Sequence, residues 1–416
     1  MAQIHGIDET EDLIAIGQRL LAWYECHRRD LPWRRTEDPY AIWVAEIMLQ
    51  QTRVETVVSY YDSFLHRFPT VQDLAAASLD DVLKAWEGLG YYARARNLYS
   101  AAQLVVRDLE GQVPSSPEAL LALPGVGRYT AGAIASIAFG HDAVALDGNL
   151  RRVLCRIFAI DDDPGRRNTQ RHLEELALAI MPPGRGGDLN QALMDVGATT
   201  CLPTNPRCLV CPLLNYCRAR QQGIQNELPI RATRTHRPHR DVTAGVIWDG
   251  NGHLLITQRP LDGMLGGLWE FPGGKRRPGE ALATCLRREI DEELSIGIEV
   301  GDLLCTIEHA FTHFQMTLYA YDCQWLSGTP QRVECKDLRW VTLDELDGFA
   351  FGVADQKIIA HLRDRRSELV FFGEVLYHFI LPAAGQFPQV YEVTFRIVSR
   401  AQQGQILNGK HVHDRN

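Results

Sequence analysis

Through residues 1–220 the apolar positions recur three and four apart, the period of a helix face. Leu13, Ile16, Leu20, Leu21 and Tyr24 form one such stripe, and Ile42, Ile47, Leu49 and Val54 another. Leu31-Pro32, Gly88-Leu89-Gly90 and Pro182-Pro183-Gly184 punctuate the segments as turns. With no alternating strand pattern in this half, an all-α domain is predicted over 1–220. The texture changes at Thr243: Ala244-Gly245-Val246-Ile247-Trp248, a turn at Asp249-Gly250-Asn251-Gly252, then Leu254-Leu255-Ile256 read as a hairpin. A helix over about 280–293 and further strands to about 340 complete an α+β domain assigned to 241–365. Residues 221–240, rich in Arg, Pro and polar side chains, read as the linker. In the tail, 366–416, Val390, Tyr391, Val393, Phe395 and Ile397 alternate with polar residues like a strand or two, and no role is assigned to it.

Composition agrees with this division. The chain has 416 residues, 45% hydrophobic and 23% charged, too many for one core and ordinary for a soluble multidomain protein. No run approaches the roughly 18 apolar residues of a membrane span, and residues 1–13 lack the apolar stretch of a secretory signal. A cytoplasmic protein of bacterial type is expected, monomeric, with no membrane partner. No protein partner is legible. The net charge of −9 argues against a polyanionic ligand, but the sign is unevenly spread. Arg218, Arg220, Arg231, Arg234, Arg237 and Arg240 face one acid, Glu227, in a local basic strip that a solvated face would also produce.

Ten cysteines in such a compartment do not suggest disulfides. Four form Cys201-x6-Cys208-x2-Cys211-x5-Cys217, a set of thiolates that suits tetrahedral zinc or an iron–sulfur cluster. Upstream, Leu123-Pro124-Gly125-Val126-Gly127 joins two helical stretches. The glycines at 125 and 127 permit a tight turn whose N–H groups can hold a DNA phosphate without reading bases, although such a turn can also merely connect helices. Glu46 stands in the mainly apolar Trp43-Val44-Ala45-Glu46-Ile47-Met48-Leu49, where a carboxyl group would have a raised pKa. A surface glutamate is the plainer reading of one Glu in a helix.

Resemblance reverses that reading. The cysteine spacing is similar to the cluster loop shared by the endonuclease III and MutY families of DNA glycosylases, which implies a 4Fe-4S cluster on Cys201, Cys208, Cys211 and Cys217. Hairpin and loop together resemble the helix-hairpin-helix glycosylase superfamily, in which an aspartate follows the hairpin by about twenty residues; here that is Asp147. Bifunctional members carry an attacking lysine in the hairpin's second helix. Tyr129 stands there instead, and Lys84 is the only lysine before Lys275, so a monofunctional enzyme is implied. Leu31-Pro32-Trp33-Arg34, Glu46 through Thr52, Gly88 through Arg96 and Leu146-Asp147-Gly148-Asn149 resemble the MutY family, whose members remove adenine mispaired with 8-oxoguanine. The resemblance implies that Glu46 protonates adenine N7 and that Asp147 stabilises or briefly captures the sugar cation, with Tyr129 and Asn149 in support. It also implies that Gln51 and Tyr91 wedge into the duplex and that Arg34 and Gln191 contact the extruded base.

The second half carries Gly274-x5-Glu280-x7-Arg288-Glu289-Ile290-x-Glu292-Glu293-x-Ser295-Ile296, which resembles the Nudix box except for serine where glycine is usual. Glu289, Glu292 and Glu293 share one helical face, as a Mg2+ site requires. In MutY proteins the homologous domain commonly reads 8-oxoguanine, and Phe311-Thr312-His313 is similar to the loop that approaches the lesion. A reader with residual metal binding is expected, with Mg-dependent hydrolysis of oxidised nucleoside triphosphates as the alternative; a non-catalytic lesion-binding protein is the third reading.

Overall fold

A computed structural model describes residues 9–230, 237–311 and 313–378, with side chains over 11–230, 237–311 and 313–366. The described residues up to His361 form one compact unit, and those from Leu362 belong to a second. Among the described residues no helix is long and apolar enough to cross a membrane.

The first half is helical, as expected: α1 (Glu9–His27), α2 (Pro39–Met48), α3 (Val54–Arg67), α4 (Val71–Ala76), α5 (Leu79–Ala85), α6 (Ala93–Asp108), α7 (Pro117–Leu121), α8 (Arg128–Phe139), α9 (Gly148–Phe158), α10 (Arg167–Ala179), α11 (Gly186–Thr199) and α12 (Arg218–Gln221). Local chemistry sets the boundaries that matter. Asp38 accepts a hydrogen bond from the Tyr40 N–H and Pro39 opens α2, while Gly140, at φ 70°, closes α8. The helices bury two separate cores. One, around Trp43, Phe64, Leu83 and Trp86, gathers α2–α8. The other, around Leu20, Leu154, Leu173 and Leu193, gathers α1 with α9–α11.

The second half contains β1 (His239–Trp248), β2 (Leu254–Gln258), β3 (Trp269–Glu270), α13 (Leu282–Leu294), β4 (Gly297–Ala310), β5 (Gln315–Ser327), β6 (Asp337–Val341) and α14 (Val353–His378). The sheet runs β3-β2-β1-β5-β4, with β6 on the other edge of β2. The expected β1–β2 hairpin is present, Trp248 opposite Leu254. The longer pairing of β1 is parallel, to β5, from His239 opposite Gln315 to Trp248 opposite Gln324. Leu286, Ile290 and Leu294 of α13 pack on Ile247, Leu255 and Cys323 of the sheet. Helix α14 continues past 365, where the tail was expected to begin. The strand-like residues 390–397 lie outside the described residues.

The halves are not beads on a linker. Leu268 and Ala350 from the second half complete the first core. Around them Lys84 Nζ donates to Phe349 O (2.8 Å), Phe351 N donates to Glu87 Oε1 (2.8 Å), and Gln258 Nε2 donates to Asp80 Oδ1 (2.8 Å). Lys84, the sole lysine of the first half, is thereby committed to Glu87 (2.7 Å) and this junction. The expected linker is shorter at both ends, because α12 reaches Gln221 and β1 begins at His239.

Ser295, the residue that departs from the glycine of the box, caps α13 at φ 54°. Left-handed backbone costs a non-glycine residue ~1–2 kcal/mol. Ser295→Gly, at this exposed position, is therefore expected to stabilise the protein by ~0.5–1 kcal/mol after the added entropy of the unfolded chain is subtracted. A thermal melt checks this, and an unchanged or lowered Tm contradicts the account.

Candidate active site

Glu46 is buried because α2 runs through the middle of the first core, with every residue from Tyr40 to Met48 inside. Tyr129 Oη donates to Glu46 Oε2 at 2.6 Å. Tyr129 reaches that oxygen from the first turn of α8: Gly125 takes φ 75°, Gly127 is the N-cap of the helix, and the tyrosine follows two residues later. Burial pushes the Glu46 carboxyl up to about 7, aided by the charge of Asp147 and opposed by the Tyr129 bond and Arg34. At neutral pH the group is poised between donor and acceptor, as proton transfer requires.

Asp147 comes from the other core. It is the N-cap of α9, accepting hydrogen bonds from Leu150 N (2.7 Å) and Asn149 Nδ2 (2.9 Å). Burial raises its pKa, while those bonds and Arg152 pull it down. Asn149 accepts in turn from Arg152 Nη2 (2.9 Å), whose Nε donates to Cys201 O (2.8 Å). The approach to Asp147 is pinned by Asn190, which accepts from Ala145 N (3.0 Å) and donates to Ala143 O (2.7 Å) and Ser136 Oγ (2.9 Å). Gly132 lets α8 press on this segment, since a Cβ there would lie 2.1 Å from Val144 O.

Gln51 and Tyr91 sit in loops at the ends of this architecture, and both are left-handed, at φ 60° and 49°. Side-chain-bearing residues adopt that geometry at a cost of about 1–3 kcal/mol each, so the surrounding structure must impose it. Both side chains are exposed, Tyr91 by 45%. Arg34, expected at the base, is committed to buried Asp195 through Nη1 (2.7 Å) and Nη2 (2.9 Å). Gln191 stays half-buried on α11, with Nε2 donating to Gly187 O (3.3 Å). Asn190, Asp195, Arg152 and Arg94 received no role from the sequence. A buried polar residue in an apolar helix was the available signal for Asn190 and Asp195.

The four loop cysteines line one cavity together with Arg156, Arg207, Arg220 and Gln225. Arg156, fully buried, donates through Nη1 to Cys201 Sγ (3.3 Å). Burial first, then neighbouring thiolates, push Cys211 up to about 12 and raise Cys217, so ionised ligands here call for a cationic centre. Gln225 Oε1 is buried with no partner among the described residues. Turned over, its amide presents donors to the cavity. Among the described residues no three His, Cys, Asp or Glu side chains converge as a single ion requires. Four thiols around one cavity, each able to bind a different metal atom, fit a polynuclear cluster.

In the second half, Arg288 holds Glu280 (2.8 and 2.9 Å), Glu289 (2.8 Å) and Glu292 (2.9 Å). Its bond pulls Glu280 down to about 2. Glu293 stands apart, pushed up to about 8 by burial and then by the charge of Glu270. On the helical face expected to be shared, Glu289 and Glu292 thus pair with an arginine, while Glu293 is unpaired with it and feels the charges of Glu270 and Glu289. Gly274 permits the loop, since a Cβ there would lie 2.1 Å from Glu289 Oε2. At the β4–β5 turn Phe311 stacks on Phe314 (4.8 Å between rings), and the guanidinium of Arg240 covers Phe314 at 4.7 Å. His313 is exposed beside them; Thr312, Arg231 and Arg234 lie outside the described residues.

The family model of the HhH-GPD superfamily base excision DNA repair proteins matches residues 44–178, and that of the NUDIX domain matches 243–361. The chain is 37% identical to an adenine DNA glycosylase of Homo sapiens, across 86% of this chain and 76% of that protein. It is 36% identical to one of Rattus norvegicus (87% and 80% covered) and 37% identical to one of Mus musculus (87% and 80%).

A carboxyl group raised from 4.5 to about 7 contributes its stability below pH 4.5 and loses it as pH rises through about 7. That shift corresponds to roughly 3 kcal/mol, trimmed to ~2 by the weaker bond that Tyr129 makes to a neutral amide. Glu46→Gln is therefore expected to melt several degrees above the native protein at pH 8 and level with it at pH 4. An equal difference at both pH values contradicts the burial argument.

Proposed function

The chain belongs to the family of adenine DNA glycosylases, and from that premise we propose that it removes adenine mispaired with 8-oxoguanine, or with guanine, by acid-assisted hydrolysis without cutting the strand. The observation that carries the reading is Glu46, buried, bonded to Tyr129 and raised to about 7, within reach of the charge of Asp147. With adenine swung out of the stack to a place between Glu46 and Asp147, Glu46 gives its proton to N7. The C1′–N9 bond breaks, its electron pair passing to N9, and the sugar becomes an oxocarbenium ion beside the Asp147 carboxylate. Water adds to C1′ and returns a proton to Glu46, leaving free adenine and an abasic site. Tyr129 orients the acid, and Asn149 with the Leu150 N–H orients the aspartate.

Gln51 and Tyr91 fill the space left in the duplex, with Arg34 and Gln191 bordering the extruded base. The hairpin at Gly125–Gly127 and the exposed arginines Arg220, Arg237 and Arg240 hold phosphate. Cys201, Cys208, Cys211 and Cys217 hold a 4Fe-4S cluster, which when bound supplies a rigid crosslink of the loop. In the second half, the hold of Arg288 on Glu280, Glu289 and Glu292 favours a lesion reader, using Phe311, Thr312 and His313, over a Mg2+ hydrolase.

In a single-turnover assay on an A·8-oxoguanine duplex, adenine is expected to be released with no strand cleavage until base is added. Asp147→Asn should slow release by about 10²–10⁴-fold. Strand cleavage by the protein alone, or native release by Asp147→Asn, rejects the mechanism. Oxidised nucleoside triphosphate with magnesium is expected to remain unhydrolysed. Turnover abolished by Glu292→Gln reverses the reading of the second half.

A further inference from the structure

Arg94, in the first turn of α6, has no part in the chemistry above, yet its guanidinium is buried and every hydrogen bond it makes goes to a main-chain carbonyl. Nη1 donates to Ile47 O (3.1 Å), Met48 O (2.6 Å) and Gln50 O (2.6 Å). Nη2 donates to Leu89 O (3.3 Å) and Gly90 O (2.9 Å). The group also lies 5.3 Å from the ring of Trp86 and 5.5 Å from that of Tyr91. The first three carbonyls belong to the end of α2 and the loop that follows it, and the other two to the Gly88–Tyr91 loop.

The positions of the bonded carbonyls give this arrangement its consequence. Gln50 and Gly90 are the residues immediately before Gln51 and Tyr91, the two left-handed positions. Holding the carbonyl of one residue orients the peptide plane that also contains the next residue's nitrogen, and so restricts the next residue's φ. One planar cation with donors on two diverging nitrogens can hold both planes at once; an ammonium, with its donors on one atom, cannot span them. An arginine that only capped the end of α2 would need the carbonyls of Ile47 and Met48 but not those of Leu89 and Gly90.

We infer that Arg94 is a positioning residue that locks the Gln51 and Tyr91 loops into one rigid wedge, so that both side chains enter the duplex together. This rests on the proposed role of Gln51 and Tyr91 at the lesion.

The test uses the full chain and an A·8-oxoguanine duplex with 2-aminopurine beside the target adenine, whose emission rises when the neighbouring base unstacks. The native protein is expected to raise the emission. Arg94→Lys, which keeps the charge, should lose most of that rise and release adenine about 10–100-fold more slowly, the loss expected for charge-assisted bonds. If the native protein gives no rise, the wedge reading itself fails. If Arg94→Lys gives the native rise and rate, the wedge reading stands and the coupling by Arg94 fails. Hydrogen exchange on the unaltered protein decides where the variant is not folded. Amides of 47–52 and 88–92 should open with one common free energy, and two distinct opening energies overturn the proposal.

Discussion

A carboxyl group placed in a hydrocarbon core and given a phenol rather than a cation as its hydrogen-bond partner holds a proton that water would remove from it. The rest of the helical architecture turns on that placement of Glu46. Helix α2 must be buried on all sides for it to happen, which accounts for the apolar run around Trp43 and Ile47. The hairpin must present Tyr129 at one fixed depth, which accounts for Gly125 and Gly127. Asp147 must approach without its charge being cancelled, and it does so from the second core, held by N–H donors and by an asparagine. Dividing the helices between two cores thus lets each core supply one of the two acids of the proposed chemistry.

The same design extends to the surface proposed to meet DNA. Gln51 and Tyr91 project from left-handed backbone that neither residue favours, and Arg94 bonds to the carbonyl of the residue before each. Beside them, the junction with the second half joins Lys84, Glu87 and Tyr92 to Phe349 and Phe351. Lys84, the sole lysine of the first half, is engaged at this junction by Glu87 and the Phe349 carbonyl.

Much of this was legible in the chain, and the limits were physical. Helical period marked the first half because that signal is local, whereas the apolar neighbourhood of Glu46 only suggested a raised pKa and resemblance was needed to prefer it over a surface glutamate. Tyr129 lies 83 residues from its partner, and only resemblance joined the two. Asn190, Asp195 and Arg94 act through bonds to distant backbone and side chains, which no spacing rule reveals. The box was visible as a motif, yet the division of its glutamates between Arg288 and a buried acidic setting depends on packing around α13. The parallel pairing of β1 with β5 joins strands more than seventy residues apart, beyond the reach of the hairpin signal that correctly paired β1 with β2. The departure at Ser295 was visible in sequence, and its φ of 54° supplies the reason glycine is usual there.

The central claim is that the proton on buried Glu46 breaks the glycosidic bond, and the pH dependence of single-turnover adenine release tests it most directly. The rate should be level on the acid side and fall about tenfold per pH unit above a midpoint near about 7, with Glu46→Gln slow and without that limb. A native rate independent of pH from 5 to 9, or the same limb at full rate in Glu46→Gln, would contradict it.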